Sequence, residues 1–170
     1  MNQEFMTSAS LIDFYNLEPH PEGGYYKRTY TAKTLLDKES LGGVFDGNRV
    51  VSSAIYYLLT EGTFSAFHRI KSDELWHFYH GVALNIHVLY PNGKYELKKL
   101  GSSVSNGESF QLTIEAGCWF ASIPDRADGF SFVGCTVSPG FDYADFELAK
   151  YESLMQIYPA HADLISRFCI

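Results

Sequence analysis

Gly62-Thr63-Phe64-Ser65-Ala66-Phe67-His68-Arg69-Ile70-Lys71-Ser72-Asp73-Glu74-Leu75-Trp76-His77-Phe78-Tyr79-His80-Gly81 is the stretch whose reading decides the fold. It holds three of the six histidines and one of the two tryptophans, in text rich in aromatic and branched residues. Such text, bounded by glycine at both ends and broken by a short polar turn at Lys71–Asp73, predicts two successive strands. That arrangement sets His68 and Glu74 side by side. A base beside a carboxylate in apolar surroundings suggests proton transfer or metal binding.

The same texture continues outward. Strands are predicted at 51–59, 64–70, 74–80, 83–90, 95–100, 110–114, 118–122 and 130–137. Turn signals separate them at Glu61-Gly62, Gly81, Pro91-Asn92-Gly93, Ser105–Gly107 and Gly117. Short strands at this spacing indicate an antiparallel sandwich or barrel. The ends differ. Ser8 is placed to cap a helix over 9–16, which Pro19 and Pro21 stop. Gly23-Gly24 opens a strand over 25–30, and 33–48 reads as a polar surface loop. Helical spacing returns at 151–158 and 160–168, on either side of Pro159, as helices packed outside the sheets. No repeat or linker divides the chain, so one domain is expected over 1–170.

Composition narrows the function. The net charge of −7 shows no basic stripe, which argues against nucleic acid and against an anionic membrane surface. No run approaches the ~20 apolar residues of a membrane helix. The three cysteines, Cys118, Cys135 and Cys169, lack metal-ligand spacing, and the first two lie in strand text as buried thiols. Met1–Ser10 lacks a basic-then-apolar leader pattern, so a cytoplasmic location is expected. Aromatic residues make up 16% of the chain, which favours sheet surfaces and a ring-lined cavity.

Gly62-x5-His68-x-Ile70-x3-Glu74-x6-Gly81 matches the first cupin motif, G-x5-HxH-x3-E-x6-G, at every spacing, with Ile70 in place of the second histidine. The chain therefore resembles the cupin superfamily, whose fold is a jelly roll or double-stranded β-helix. His20-Pro21-Glu22-Gly23-Gly24-Tyr25, Ser72–Phe78, Gly117-Cys118-Trp119-Phe120 and Val137–Phe141 look like the uncharacterised cupin-5 branch. That branch is distantly similar to deoxysugar 3,5-epimerases and seed-storage-like cupins. The second cupin motif maps onto 115–120, where Phe120 stands at the histidine position.

Metal-binding cupins typically use three histidines and one glutamate, of which the motif keeps His68 and Glu74. Two ligands fall short of what a tightly held transition metal needs. His80 shares the Glu74 face by alternation but lies roughly 20 Å along the strand. No metal or cofactor is expected. The resemblance to epimerases makes His68 and Glu74 an acid–base pair for a carbon acid next to a carbonyl, with Tyr25, Tyr79 or Tyr143 as proton donor. The alternative is a structural His–Glu pair in a cavity that only binds. The early Arg and Glu with which those epimerases grip a nucleotide sugar correspond to Gly23 and Arg28.

Tyr25, Arg28, Trp76, Phe78, Phe120 and Ser122 form the expected ligand-binding set around that pair, as an aromatic pocket rather than a filled core. The partners expected are an unidentified small molecule and a second copy of the chain, paired through the outward face of His77 and Tyr79 and the strand 25–30. Three functions stay open: a metal-independent isomerase or epimerase, a non-catalytic metabolite binder, and a metal-dependent cupin oxygenase.

Overall fold

In the computed structural model, which describes residues 6–170, the strand text resolves into two facing sheets with every strand pairing antiparallel. Their strands in chain order are β1 (Glu18–Pro19), β2 (Tyr25–Thr31), β3 (Leu35–Leu36), β4 (Arg49–Val50), β5 (Ser53–Leu59), β6 (Ser65–Arg69), β7 (Asp73–Gly81), β8 (Leu84–Leu89), β9 (Tyr95–Leu100), β10 (Gln111–Ile114), β11 (Trp119–Pro124), β12 (Ser131–Ser138) and β13 (Glu147–Leu148). One sheet has the order β1-β2-β5-β12-β7-β10, the other β13-β6-β11-β8-β9. β3 and β4 form a separate small ribbon within the stretch expected to be loop. This is a jelly roll, as the motif implied.

Alternation builds the core. Tyr57, Trp76, Ile114 and Val133 of the first sheet meet Leu84, Ile86, Val88 and Phe120 of the second, all essentially buried. Helices cover part of each outer face. α2 (Tyr151–Ile157) and α3 (Ala162–Phe168) lay Leu154, Ile165 and Phe168 on Phe67, Leu89 and Trp119 of the second sheet. α1 (Ser8–Tyr15) sets Leu11 against Leu58 and Phe132 of the first. Thr7, not Ser8, caps α1. Its hydroxyl accepts from the Ser10 N–H at 3.1 Å while the Ser10 hydroxyl accepts from the Thr7 N–H at 2.9 Å, a reciprocal capping box.

Two corrections shape the site. The strands at 65–69 and 73–81 are not a hairpin: β6 pairs with β11 and β13, and β7 with β12 and β10. The chain crosses between sheets at Ile70–Ser72, so His68 and Glu74 stand on opposite walls. In addition, a bulge in β7 skips Tyr79, pairing Phe78 with Val133 and His80 with Phe132. Phe132 belongs to the outer face, so His80 leaves the Glu74 face altogether. The Tyr79 ring lies across Gly134 on that outer side, where a Cβ would collide with it.

Candidate functional site

One end of the space between the sheets is closed by the loop His20–Gly24. Gly23 and Gly24 have φ of 113° and 69°, a region open chiefly to glycine, and a Cβ on Gly23 would strike the Phe64 carbonyl oxygen. The loop therefore lies directly on the start of β6. The Ala66 N–H donates to the Glu22 carbonyl at 2.8 Å, and the Tyr57 hydroxyl donates to the Gly23 carbonyl at 2.8 Å. Held in this way, the Glu22 side chain points inward and is buried.

There it meets His68. His68 Nδ1 lies 2.8 Å from the Ala66 carbonyl oxygen, which can only accept, so Nδ1 carries a proton. The other ring nitrogen, Nε2, faces Glu22 Oε2 at 3.1 Å. Two proton acceptors at that distance share one proton: either Glu22 is a carboxylic acid donating to a neutral imidazole, or the proton sits on Nε2 as an ion pair. Burial lowers the His68 pKa to about 4 and raises that of Glu22, which favours the neutral form. Glu22 Oε1 accepts from the Ser65 hydroxyl at 2.9 Å. His20 completes the group, its Nδ1 accepting from the Glu22 N–H at 3.4 Å and lying 3.4 Å from Glu22 Oε2. Burial lowers its pKa too.

Glu74 projects from the other wall. Desolvation, with the nearby Glu22 adding to it, raises its pKa to about 8. It is thus a neutral acid at neutral pH, able to donate a hydrogen bond. Trp76 and Cys135 flank its carboxyl and oppose the shift. Even so, the buried Trp76 Nε1 has no well-formed hydrogen bond.

The cavity is narrow and opens to solvent at its mouth. Tyr26 and Arg28 of β2, Ile55 of β5, Val137 of β12 and the rings of Phe141 and Phe146 line it beside the polar groups. Phe141 and Phe146 come from the segment between β12 and β13, which is pinned by a buried two-pronged ion pair. Arg49 Nε donates to Asp145 Oδ2 at 2.6 Å and Arg49 Nη2 to Asp145 Oδ1 at 2.7 Å. Tyr143 of the same segment stacks on His20, with centroids 6.4 Å apart.

Of the expected residues, His68, Glu74, Arg28 and Trp76 line this cavity. The carboxylate against His68 is, however, Glu22's and not Glu74's, because the chain changes sheets between His68 and Glu74. The other four expected ligand-binding residues lie off the lining. Tyr25 faces outward beneath α1, while its neighbour Tyr26 turns in. Phe78 packs on the core. Phe120 backs the His68 ring at 4.1 Å between centroids. Ser122 is wholly buried where β11 pairs with Ser65. His20, Glu22, Tyr57 and Cys135 were not anticipated, and the pointer to the first two was the two glycines that follow them.

The residues do not fit a cupin metal. At the four ligand positions stand His68, Ile70, Glu74 and Phe120, and two of these offer only carbon. Both Glu22 oxygens are engaged, by Ser65 and His68. Among the described residues, no group of three or more His, Cys, Asp or Glu side chains is placed to hold an ion.

Two facing antiparallel sheets around a cavity with the His68 and Glu74 motif positions on its walls define a cupin. The chain belongs to the family described as Cupin superfamily (DUF985), whose model matches residues 9–149. It is similar to the uncharacterized protein YML079W of Saccharomyces cerevisiae, 30% identical over 84% of this chain and 75% of that one. The structure of protein SO0799 from Shewanella oneidensis superposes with a TM-score of 0.88 at 37% identity, covering 98% of this chain and 99% of that one. A hypothetical protein from Leishmania major superposes at 0.87 with 34% identity, covering 96% and 99%. Oxalate decarboxylase from Bacillus subtilis shares the fold alone, with a TM-score of 0.54 and 12% identity over 88% of this chain and 36% of that one. No helix among the described residues is long and apolar enough to cross a membrane.

Proposed function

We propose that this cupin binds a small sugar-like or carbonyl compound and moves a proton on it without a metal, as an isomerase or epimerase. The observation that carries this reading is the Glu22–His68 couple on one wall of a cavity whose opposite wall bears the neutral acid Glu74. Groups whose surroundings push their proton affinities apart are the usual basis for dividing acid and base roles. Glu74 donates a hydrogen bond to the carbonyl oxygen. The proton on the adjacent carbon passes to a free lone pair of the Glu22 carboxyl as the proton already held between Glu22 Oε2 and His68 Nε2 moves onto Nε2, so that the couple gains one proton and one positive charge. The C–H electron pair becomes a C=C bond as the C=O π pair moves to oxygen, and the oxygen takes the Glu74 proton, which leaves a neutral enol between the Glu74 carboxylate and the protonated couple. Return of a proton to the opposite face of the same carbon, with the Tyr26 hydroxyl as the cavity-lining donor, inverts the centre. Return to the neighbouring carbon isomerises it.

A second reading, a non-catalytic metabolite binder, is favoured by the low His68 pKa of about 4, which makes the imidazole alone a weak base. Solvent deuterium separates the two. With a compound that stabilises the protein thermally, incubation in D2O should wash label into the carbon next to its carbonyl. Glu22→Gln and Glu74→Gln should stop that exchange. Binding without exchange assigns the binder instead.

The reading also takes the protein as a cytoplasmic homodimer whose ligand is neither nucleic acid nor membrane. Three unpaired thiols and a net charge of −7 support the compartment and the ligand class. The exposed Tyr30 and Tyr79 on the first sheet support the pairing face. Light scattering of the purified protein at micromolar concentration tests the dimer.

A further inference from the structure

Arg28, Ile55, Cys135 and Trp76 form one row across four adjacent strands, each the direct cross-strand partner of the next. All four line the cavity. Three strand spacings of ~4.8 Å put about 14 Å between the first and last Cα atoms. At the open end, the Arg28 guanidinium stands 5.8 Å from the centroid of the Phe141 ring. Arg28 is exposed, and among the described residues its side chain makes no ion pair or hydrogen bond, whereas Arg49, Arg69 and Arg126 each face a carboxylate. At the inner end, Trp76 is 1% exposed and its Nε1–H lies beside the Glu74 carboxyl without a well-formed hydrogen bond. A buried N–H left without a partner is costly in a protein interior, and a ligand atom is one way it is satisfied. Between the two donors the row is Ile55 and the Cys135 thiol, with Val137 beside them, a wall that carries no charge.

The wall thus presents a cationic fork outside, a neutral donor pair of Trp76 and Glu74 inside, and an uncharged, mostly apolar stretch in between. A single guanidinium matches the two oxygens of a carboxylate, while no lysine or second arginine lines the cavity to share the charge of a phosphate. We infer that the ligand is a carboxylate-bearing carbonyl compound, a short oxo acid or sugar acid. Its carboxylate lies on Arg28 and its carbonyl oxygen lies between Trp76 Nε1 and the Glu74 carboxyl. This deepens the proposed function and rests on the same cavity being the site.

The test compares acids with their primary amides, which keep shape and lose charge. Levulinate, pyruvate and glucuronate are titrated against levulinamide, pyruvamide and glucuronamide, with inorganic phosphate as a further arm, and thermal stabilisation is the readout. At least one acid should bind about tenfold or more tightly than its amide, and phosphate should not match it. Arg28→Gln, at an exposed position, should erase the preference for acid by weakening the acid far more than the amide. Trp76→Phe should weaken acid and amide alike. The inference is overturned by equal binding of acid and amide, by a preference that survives Arg28→Gln, by phosphate matching the acids, or by no acid stabilising the protein. If acids bind through Arg28 but take up no deuterium, this assignment stands and proton transfer falls. Exchange into neutral carbonyl compounds with no preference for acids has the reverse meaning.

Discussion

His68 Nε2 lies 3.1 Å from Glu22 Oε2 while the Ala66 carbonyl, 2.8 Å from Nδ1, holds the imidazole in one tautomer. Glu22→Gln preserves this geometry, since a glutamine amide donates to Nε2 and its oxygen accepts from Ser65. The variant should unfold within about 1 kcal/mol of wild type yet lose proton exchange about 10²-fold or more. Glu22→Leu leaves Ser65 and Nε2 without partners and should cost about 2–3 kcal/mol. Chemical denaturation and deuterium uptake measure the two effects separately.

Stability should fall as pH rises from 6.5 to 8. The folded Glu74 carboxyl keeps its proton up to about 8, against 4.5 when unfolded, so the native state binds more protons through that window. His68, lowered to about 4, gives the opposite slope, but only below its ordinary value of 6.5. Above that value the raised carboxyls act alone, and at ~1.4 kcal/mol per pH unit the decline is ~2 kcal/mol. Glu74→Gln should flatten it. Denaturation midpoints at pH 6.5, 7.2 and 8 check the slope, and a rising wild-type curve would oppose the assignment.

Much of the fold was legible because alternation and turn glycines are local signals. β9 (Tyr95–Leu100) matches its expected bounds, and α2 and α3 pack outside the sheets as helical spacing predicted. The site was legible only in part. His68 and Glu74 are near in sequence, and nearness suggests a hairpin. Nothing in Ile70-Lys71-Ser72 announces that the chain changes sheets there. The true partner, Glu22, comes from a distant loop whose path is set by Gly23 lying on Phe64, a tertiary contact that no local pattern encodes. Likewise the bulge at Tyr79 breaks an alternation that the sequence continues without a mark.

Arg49 and Asp145 pin the segment that brings Phe141 and Phe146 to the cavity mouth, with side chains 6% and 3% exposed. Arg49→Met leaves a buried carboxylate whose remaining cationic neighbour is Lys71 Nζ at 3.7 Å, and should destabilise by about 3–5 kcal/mol. Adding Asp145→Leu should recover most of that loss. Ligand affinity should fall in the single variant. Thermal denaturation of both variants, with and without ligand, reads these changes.

Prolonged chelation should leave melting temperature and any exchange activity unchanged. Ile70 and Phe120 stand where ligands would be, and the Phe120 ring already packs on His68 at 4.1 Å. Elemental analysis before and after EDTA dialysis checks this. A stoichiometric transition metal whose removal lowers stability would contradict it.

The most direct test is the protonation of one ring. Nitrogen-15 NMR of histidine-labelled protein from pH 5 to 8 should show the His68 imidazole neutral throughout, with Nδ1 protonated and Nε2 in the shifted range of a nitrogen accepting a hydrogen bond. A His68 resonance that titrates near 6.5, or one with the proton on Nε2 alone, would contradict the shared-proton couple on which the site is built.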